Sequence, residues 1–164
     1  RPNRQYRKNE RSDDNNDYWE SFMAGVLEHV EEMTAFLNPC KDSYLRLGEK
    51  KAPKYITWSP ENRSQLIRIP AAHGEYRRIE LRSPDPMTNP YIAYTLLINA
   101  GLDGIRRNLK PGIPENINLF TAEKAVTDKL KALPYSLDQA VSIAKCSSWL
   151  KRILPACYFE FDNI

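Results

Sequence analysis

From Tyr18 onward, apolar side chains return at intervals of three and four. Phe22, Val26, Val30, Met33 and Leu37 form one stripe of an amphipathic helix. Asp17 can cap its start, and Asn38-Pro39 stops it, because a residue ahead of proline avoids the α region. Residues 40–53 read as a basic loop. The period then drops to two in three extended runs, 55–58, 65–69 and 77–83, each carrying β-branched or aromatic residues and each bounded by Pro, Asn or Gly. Asn89-Pro90 opens a second helix, with Asn as N-cap and Pro at the first helical position. That helix continues through Leu96, Leu97, Ala100 and Ile105, with Gly101 and Gly104 inside it, where another backbone can approach closely. Ser136-x-x-Gln139 is a capping box ahead of a third helix, with Leu137, Ala140, Val141, Ala144 and Leu150 on its inner side and Pro155 ending it. Helices surrounding three consecutive short strands predict an α+β fold with an antiparallel layer.

Composition narrows the class. The chain has 164 residues, 41% of them hydrophobic, which suits one domain with a real core and excludes a wholly disordered chain. Residues 1–16 are polar and aperiodic, and read as a disordered arm or truncated loop ahead of a domain spanning 17–164. A net charge of +3 gives no case for a nucleic-acid partner. Residues 91–100 are the longest apolar stretch. Thr95 and Asn99 interrupt it, so no membrane span is expected, and no apolar run behind Arg1 suggests a signal peptide. Cys40, Cys146 and Cys157 fit neither a disulfide framework nor a zinc pattern. They read as reduced thiols of a cytoplasmic protein. His29 reads as a packed histidine at the edge of the first helix stripe, with no ligand-spaced partner facing it, and His73 as a turn residue.

The chemistry concentrates between the first two helices, where Arg46, Arg63, Arg68, Arg77, Arg78 and Arg82 all fall. In an extended Arg78-Ile79-Glu80-Leu81-Arg82 run, the three charged side chains share one face and the apolar pair the other. The same alternation sets Arg68 apart from Ile67 and Ile69. Several guanidiniums in a row suit phosphate or carboxylate ligands, and a carboxylate among them suits a hard cation such as Mg²⁺. A surface ladder of cross-strand ion pairs and a contact to a nucleic-acid backbone are the other readings this pattern allows. No glycine-rich phosphate loop, G-x-S-x-G or H-E-x-x-H occurs.

An ordered series of motifs points further. Asn38-Pro39, Asp42-Ser43-Tyr44-Leu45-Arg46-Leu47, Ala52-Pro53, Trp58-Ser59, Asn62-Arg63-Ser64, Ile67-Arg68-Ile69-Pro70, Arg78-Ile79-Glu80-Leu81-Arg82, Pro84-Asp85-Pro86, Asn89-Pro90-Tyr91 and Ala100-Gly101-Leu102-Asp103-Gly104-Ile105 follow one another. The series resembles the C-terminal part of the catalytic domain of bacterial-type glutamine synthetase, over roughly 22–120 with a weaker tail to about 154. The resemblance implies a glutamine synthetase/guanido kinase-like catalytic domain. It also implies ATP-dependent ligation of ammonia to the γ-carboxylate of glutamate through γ-glutamyl phosphate, with Mg²⁺ or Mn²⁺, in an enzyme that assembles into rings. Arg46 is then expected to hold the glutamate carboxylate. Arg63 and Arg68 would contact the nucleotide phosphates and the transferring phosphoryl group. Arg82 would contact glutamate or the acyl phosphate, and Glu80 a divalent metal.

Four positions depart from the family pattern. Lys51 stands where the family has a flap glutamate, in a loop one residue shorter, with Glu49 the nearest acid. Glu75 replaces a lysine that meets ATP, Asp42 an asparagine, and Phe120 the tyrosine that some members adenylylate. The family's β-grasp domain, its other glutamate ligands and its His-x-His have no counterpart here, so the chain is expected to be a portion of an enzyme and inert alone. A glutamate–amine or polyamine ligase and a non-catalytic homologue are the alternative readings that Lys51 and Glu75 support.

Overall fold

The computed structural model describes residues 18–49, 51–72, 76 and 78–161. Residues 1–16, Asp17, His73, Glu75 and Arg77 lie outside them, and with these the expectations of an arm, a helix cap and a turn histidine. The chain runs α1 (Tyr18–Leu37), α2 (Lys41–Arg46), β1 (Trp58–Pro60), β2 (Ile67–Ile69), β3 (Glu80–Leu81), α3 (Pro90–Arg106), α4 (Lys124–Thr127), α5 (Leu137–Cys146) and α6 (Ser148–Ile153), then a 3₁₀ turn at Ala156–Phe159. Helices around a small sheet make this an α+β fold. The antiparallel layer expected from sequence exists only between β2 and β3; β1 and β2 run parallel, so the sheet is mixed.

Helix α1 is the spine. Met23, Val26, Val30, Met33 and Leu37 are 0–2% exposed, and α1 packs against α3 on one side and α5 on another. The crossing with α3 depends on glycine. A Cβ built on Gly25 would lie 2.8 Å from Gly104 Cα, and one on Gly104 2.6 Å from Gly25 N, so the two backbones touch where side chains would otherwise separate them. Gly101 faces the Phe22 ring in the same seam.

The sequence signals for helix ends hold. Asn89 Oδ1 accepts from Tyr91 N at 3.0 Å at the start of α3. Ser136 Oγ accepts from Gln139 N at 3.2 Å, and Gln139 reaches back to Tyr135 N at 2.8 Å, one residue ahead of the cap. The third helix is two helices. Ser147 breaks it by turning extended and capping α6, its Oγ accepting from Leu150 N at 3.0 Å. The loop expected at 40–53 contains α2. Its Tyr44 is buried in the core, and that tertiary contact is invisible to periodicity in six residues.

His29 is packed as expected, stacked on Trp149 with ring centroids 4.0 Å apart. Contrary to the sequence reading, two carboxylates face it. Nδ1 lies 2.7 Å from Glu32 Oε2, and Nε2 lies 2.9 Å from Asp103 Oδ2. This brace ties α1 to α3 and α6. Burial alone would raise the Asp103 pKa, but hydrogen bonds from His29 and Arg107 outweigh it and hold the carboxyl below its usual 3.8. A depressed folded-state pKa contributes stability that is present above about pH 4 and lost as pH falls through the folded value. Asp103→Asn is therefore expected to lower the unfolding midpoint at pH 7 and to flatten its decline between pH 5 and 3. Melting curves across that range check this, and parallel declines for both proteins would refute it.

Candidate functional site

The register of the sheet builds the site. In the β2–β3 pair Arg68 stands directly opposite Glu80, the placement that brings a guanidinium and a carboxylate on one face into contact. Arg68 Nη1 donates to Glu80 Oε2 at 2.9 Å, and Arg82 Nε donates to Glu80 Oε1 at 3.2 Å. Arg82 lies two residues beyond Glu80, so it returns to the same face, and its own amide extends the pairing by donating to Leu66 O at 2.9 Å. Below this face the strands are fixed by Leu66 and Ile67, both fully buried, with Ile79 and Leu81 packed against the same core. The alternation read from the sequence thus places Arg68, Glu80 and Arg82 together.

The cluster carries unspent capacity. Arg82 Nη2 donates to Lys51 O at 3.0 Å, while Nη1 is buried without a hydrogen-bond partner. Burial lowers the Arg82 pKa first. Glu80 opposes that by charge and hydrogen bond, and the positive charges of Arg68 and Arg63 lower it further. Arg63 therefore belongs to the same electrostatic neighbourhood, exposed and with no hydrogen-bonding or ionic partner among the described residues. Two guanidiniums on one carboxylate, with the charge of a third felt by Arg82, leave an excess of positive charge and free donors, the arrangement that binds a multiply charged oxyanion. As a plain ion-pair ladder the cluster stabilises the fold little, since the Glu80 side chain is 42% exposed.

Arg46 is placed differently. Its Nη2 donates to Asn38 Oδ1 at 2.9 Å and to Ser83 O, and its Nε lies 3.4 Å from Asp85 Oδ2. It locks α2 to the turn after β3 and makes no bond to Glu80. On the residues that hold it, Asn38 Nδ2 and Ser83 Oγ are buried without partners. Arg78, expected on the face of Glu80 and Arg82, precedes β3 and is exposed; among the described residues its one hydrogen bond is a donation to Tyr76 O at 3.1 Å. Between Arg46 and Arg82 runs the 47–52 turn, with Gly48 (φ 90°) and Lys51 (φ 70°) in the left-handed region. Lys51 sends its side chain to solvent and its carbonyl to Arg82. A cleft of about 230 Å³ lies behind this turn, lined by Glu49, Lys54, Ser64 and Phe120 among others; none of the arginines lines it.

A divalent cation would find one carboxylate here, Glu80, with both oxygens turned to arginines. No group of three His, Cys, Asp or Glu side chains able to hold a metal occurs among the described residues. Glu80 fits a shared ligand and falls short of a complete site. No helix among the described residues is long and apolar enough to cross a membrane. Cys40, Cys146 and Cys157 are free.

Sequence reasoning passed over one set of residues, the Asn62, Ser64 and Asn116 network that clamps the loop carrying Arg63. Its signal was present: an Asn two residues ahead of a Ser is the spacing of a side-chain turn.

Comparison with known proteins follows the same lines. The family model "Glutamine synthetase, catalytic domain" matches residues 3–161. The glutamine synthetase of Methanosarcina mazei is 45% identical over 136 residues, covering 81% of this chain and 30% of that protein. That of Pyrococcus furiosus is 40% identical over 145 residues, 87% of this chain and 33% of that protein. A solved structure described as a GmaS/ADP complex superposes with a TM-score of 0.76 at 32% identity, over 88% of this chain and 34% of that one. A ligand-free GmaS structure gives a TM-score of 0.75 at 33% identity, over 88% of this chain and 32% of that one. The chain thus spans about a third of the length of the proteins it matches. With the motif series, the Arg68–Glu80–Arg82 face and these likenesses in agreement, the chain belongs to the glutamine synthetase family, as a stretch of its catalytic domain.

Proposed function

We propose that this chain supplies the arginine face of an ATP-dependent ligase that joins ammonia to the γ-carboxylate of glutamate by way of γ-glutamyl phosphate. The carrying observation is the Arg68–Glu80–Arg82 array with Arg63 beside it and a spare buried N–H on Arg82. In this reading Arg63 and Arg68 bind the nucleotide phosphates, and Arg63 and Arg82 neutralise charge on the phosphoryl group as it moves. Positioned guanidiniums suit a transfer governed by positioning and electrostatics. Glu80 contributes one oxygen ligand to Mg²⁺ or Mn²⁺, which would offset phosphate charge. Arg46 meets the glutamate carboxylate; its 3.4 Å bond to Asp85 is the one such a ligand would replace.

The same reading makes the site a shared one. A lone carboxylate calls for ligands from outside these residues. On α3, Tyr91, Tyr94 and Ile98 are 83%, 67% and 51% exposed along one face, apolar surface that further polypeptide of the domain, or the neighbouring subunit of a ring, would cover. The domain boundary at 17–164 and a cytoplasmic setting belong to this proposal. Glutamate, ATP and ammonia are its substrates.

The test is γ-glutamyl hydroxamate formation from glutamate, ATP and hydroxylamine with Mg²⁺ or Mn²⁺. The 164-residue chain alone is expected to form none, and the complete polypeptide that carries it to form product. Turnover by the chain alone would overturn the shared site, and an inactive complete polypeptide the ligase reading. Lys51 at the flap gives a specific ground for a second acceptor class, because a cation there repels ammonium and removes the usual proton acceptor. A panel of primary amines and polyamines run in the same assay, scored against ammonia, decides between them.

A further inference from the structure

Arg63 is exposed, its charge is felt by Arg82, and its side chain makes no hydrogen bond or ion pair among the described residues. A free guanidinium on a loop is ordinarily a poor binding group, because holding it in place costs side-chain and backbone entropy. Here the backbone under it is held. Pro60 ends β1, Glu61 turns left-handed at φ 65°, and Asn62 N donates back to Pro60 O at 2.8 Å. Asn62 Oδ1 then accepts from both Ser64 N and Ser64 Oγ at 2.9 Å, closing a side-chain turn across Arg63.

The turn is itself bolted to a second segment. Asn62 Nδ2 donates to Asn116 O at 3.2 Å and to Ile117 O at 3.0 Å. Ser64 Oγ accepts from Leu119 N at 2.9 Å, and Gln65 Nε2 donates to Ile117 O at 2.9 Å. Ser59 Oγ reaches Asn116 Oδ1 at 2.9 Å, and Glu115 N reaches Trp58 O at 2.9 Å. Ser64 and Gln65 are buried, so the network works where an unmade hydrogen bond is costly. Every hydrogen-bonding group of the Asn62 side chain is used, and all are used to fix the residues on either side of Arg63.

We infer that Asn62 is a positioning residue, which holds Arg63 at the arginine face for a polyphosphate ligand by clamping its loop to the 116–119 segment. The inference rests on the phosphate reading of Arg63 given above. It adds that the 116–119 segment, which touches none of the arginines, sets how well Arg63 binds. Asn62→Ala removes the turn across Arg63 and the two Asn62 bonds to the 116–117 carbonyls, and leaves every guanidinium and the Ser64 and Gln65 bonds present.

Calorimetric titration of the complete polypeptide that carries this chain with inorganic tripolyphosphate at fixed low salt provides the test, alongside amide hydrogen exchange. Arg63→Ala is expected to weaken binding about tenfold, the loss of one charge-assisted contact. Asn62→Ala is expected to weaken it by a similar factor and to speed exchange at the Ser64 and Leu119 amides. The double variant is expected to bind no worse than Arg63→Ala, because a clamp with nothing to position has nothing left to lose. Additive losses would overturn the positioning role, as would unchanged affinity in Asn62→Ala where Arg63→Ala weakens it. Unchanged affinity in Arg63→Ala, or no binding by the unaltered polypeptide, would instead overturn the phosphate reading and the inference with it. The network's contribution to folding is read separately from the melting midpoint of Asn62→Ala, and a fall there alone, with affinity intact, would also refute the proposal.

Discussion

Gly104→Ala is expected to lower the unfolding midpoint by about 10 °C, as if one methyl group cost about 3 kcal/mol. Intrinsic propensity argues the other way, since alanine in a helix interior is worth about 1 kcal/mol more than glycine. Destabilisation would therefore report tertiary contact alone. The added Cβ would meet Ser21 O and the Gly25 backbone, neither of which is the mobile end of a side chain, so α1 and α3 would have to move apart. That movement would also stretch the His29–Asp103 bond, which spans the same two helices. A graded series sharpens the measurement. Gly101→Ala first meets the Phe22 ring, a side chain rather than backbone, and should cost less; Gly112→Ala meets nothing within 4 Å and should cost nothing. Thermal melts of the three variants check this order. Equal midpoints for Gly104→Ala and Gly112→Ala would mean that the helices do not cross as closely as described.

The close crossing was legible in the sequence because glycine inside an otherwise apolar helix has few other uses. The same holds for the Asn89-Pro90 and Ser136–Gln139 starts, where local hydrogen bonds made by the chain's own neighbours decide the outcome. What could not be read depended on distant partners. Tyr44 holds α2 through the core, and Ser147 splits one apparent helix in two while its Oγ also reaches Glu32 on α1 at 2.9 Å. The parallel pairing of β1 with β2 follows from the loop between them folding back over Glu61, a left-handed residue with no side-chain preference for that state. At the site, alternation placed Glu80 and Arg82 on one face and the β2–β3 register set Arg68 opposite Glu80, while Arg78, expected on that face too, precedes β3 and bonds to Tyr76 O instead. Arg46 was assigned by resemblance, and its bonds to Asn38, Ser83 and Asp85 come from folding of the turn after β3, which no local pattern encodes. His29 was read as packed with no ligand-spaced partner facing it; Glu32, three residues on, was within local reach and was passed over, while Asp103 lay 74 residues away.

Arg82→Ala, made in the complete polypeptide, is expected to lower hydroxamate turnover about 10²–10³-fold, the scale of losing one preorganised donor to developing charge. A guanidinium that only faced a ligand would add little packing, and its loss would spare the fold. The structure alters that expectation. The Arg82 side chain is only 13% exposed, and it joins Glu80 to the carbonyl of Lys51, so truncation removes two hydrogen bonds and a packed side chain. A stability loss of about 1–3 kcal/mol should accompany the loss of turnover. Two further variants separate the effects. Arg82→Lys keeps the charge but cannot reach Glu80 and Lys51 O with a planar fork, so it should recover part of the stability and little of the turnover. Arg78→Ala removes an exposed arginine whose one hydrogen bond among the described residues is to Tyr76 O, and should leave midpoint and turnover near those of the unaltered enzyme. Full turnover in Arg82→Lys would reduce Arg82 to a point charge, and a drop in Arg78→Ala equal to that in Arg82→Ala would mean the effect follows overall basicity. The second result would remove Arg82 from the transfer, because the structure distinguishes it from Arg78 by its burial and its shared carboxylate.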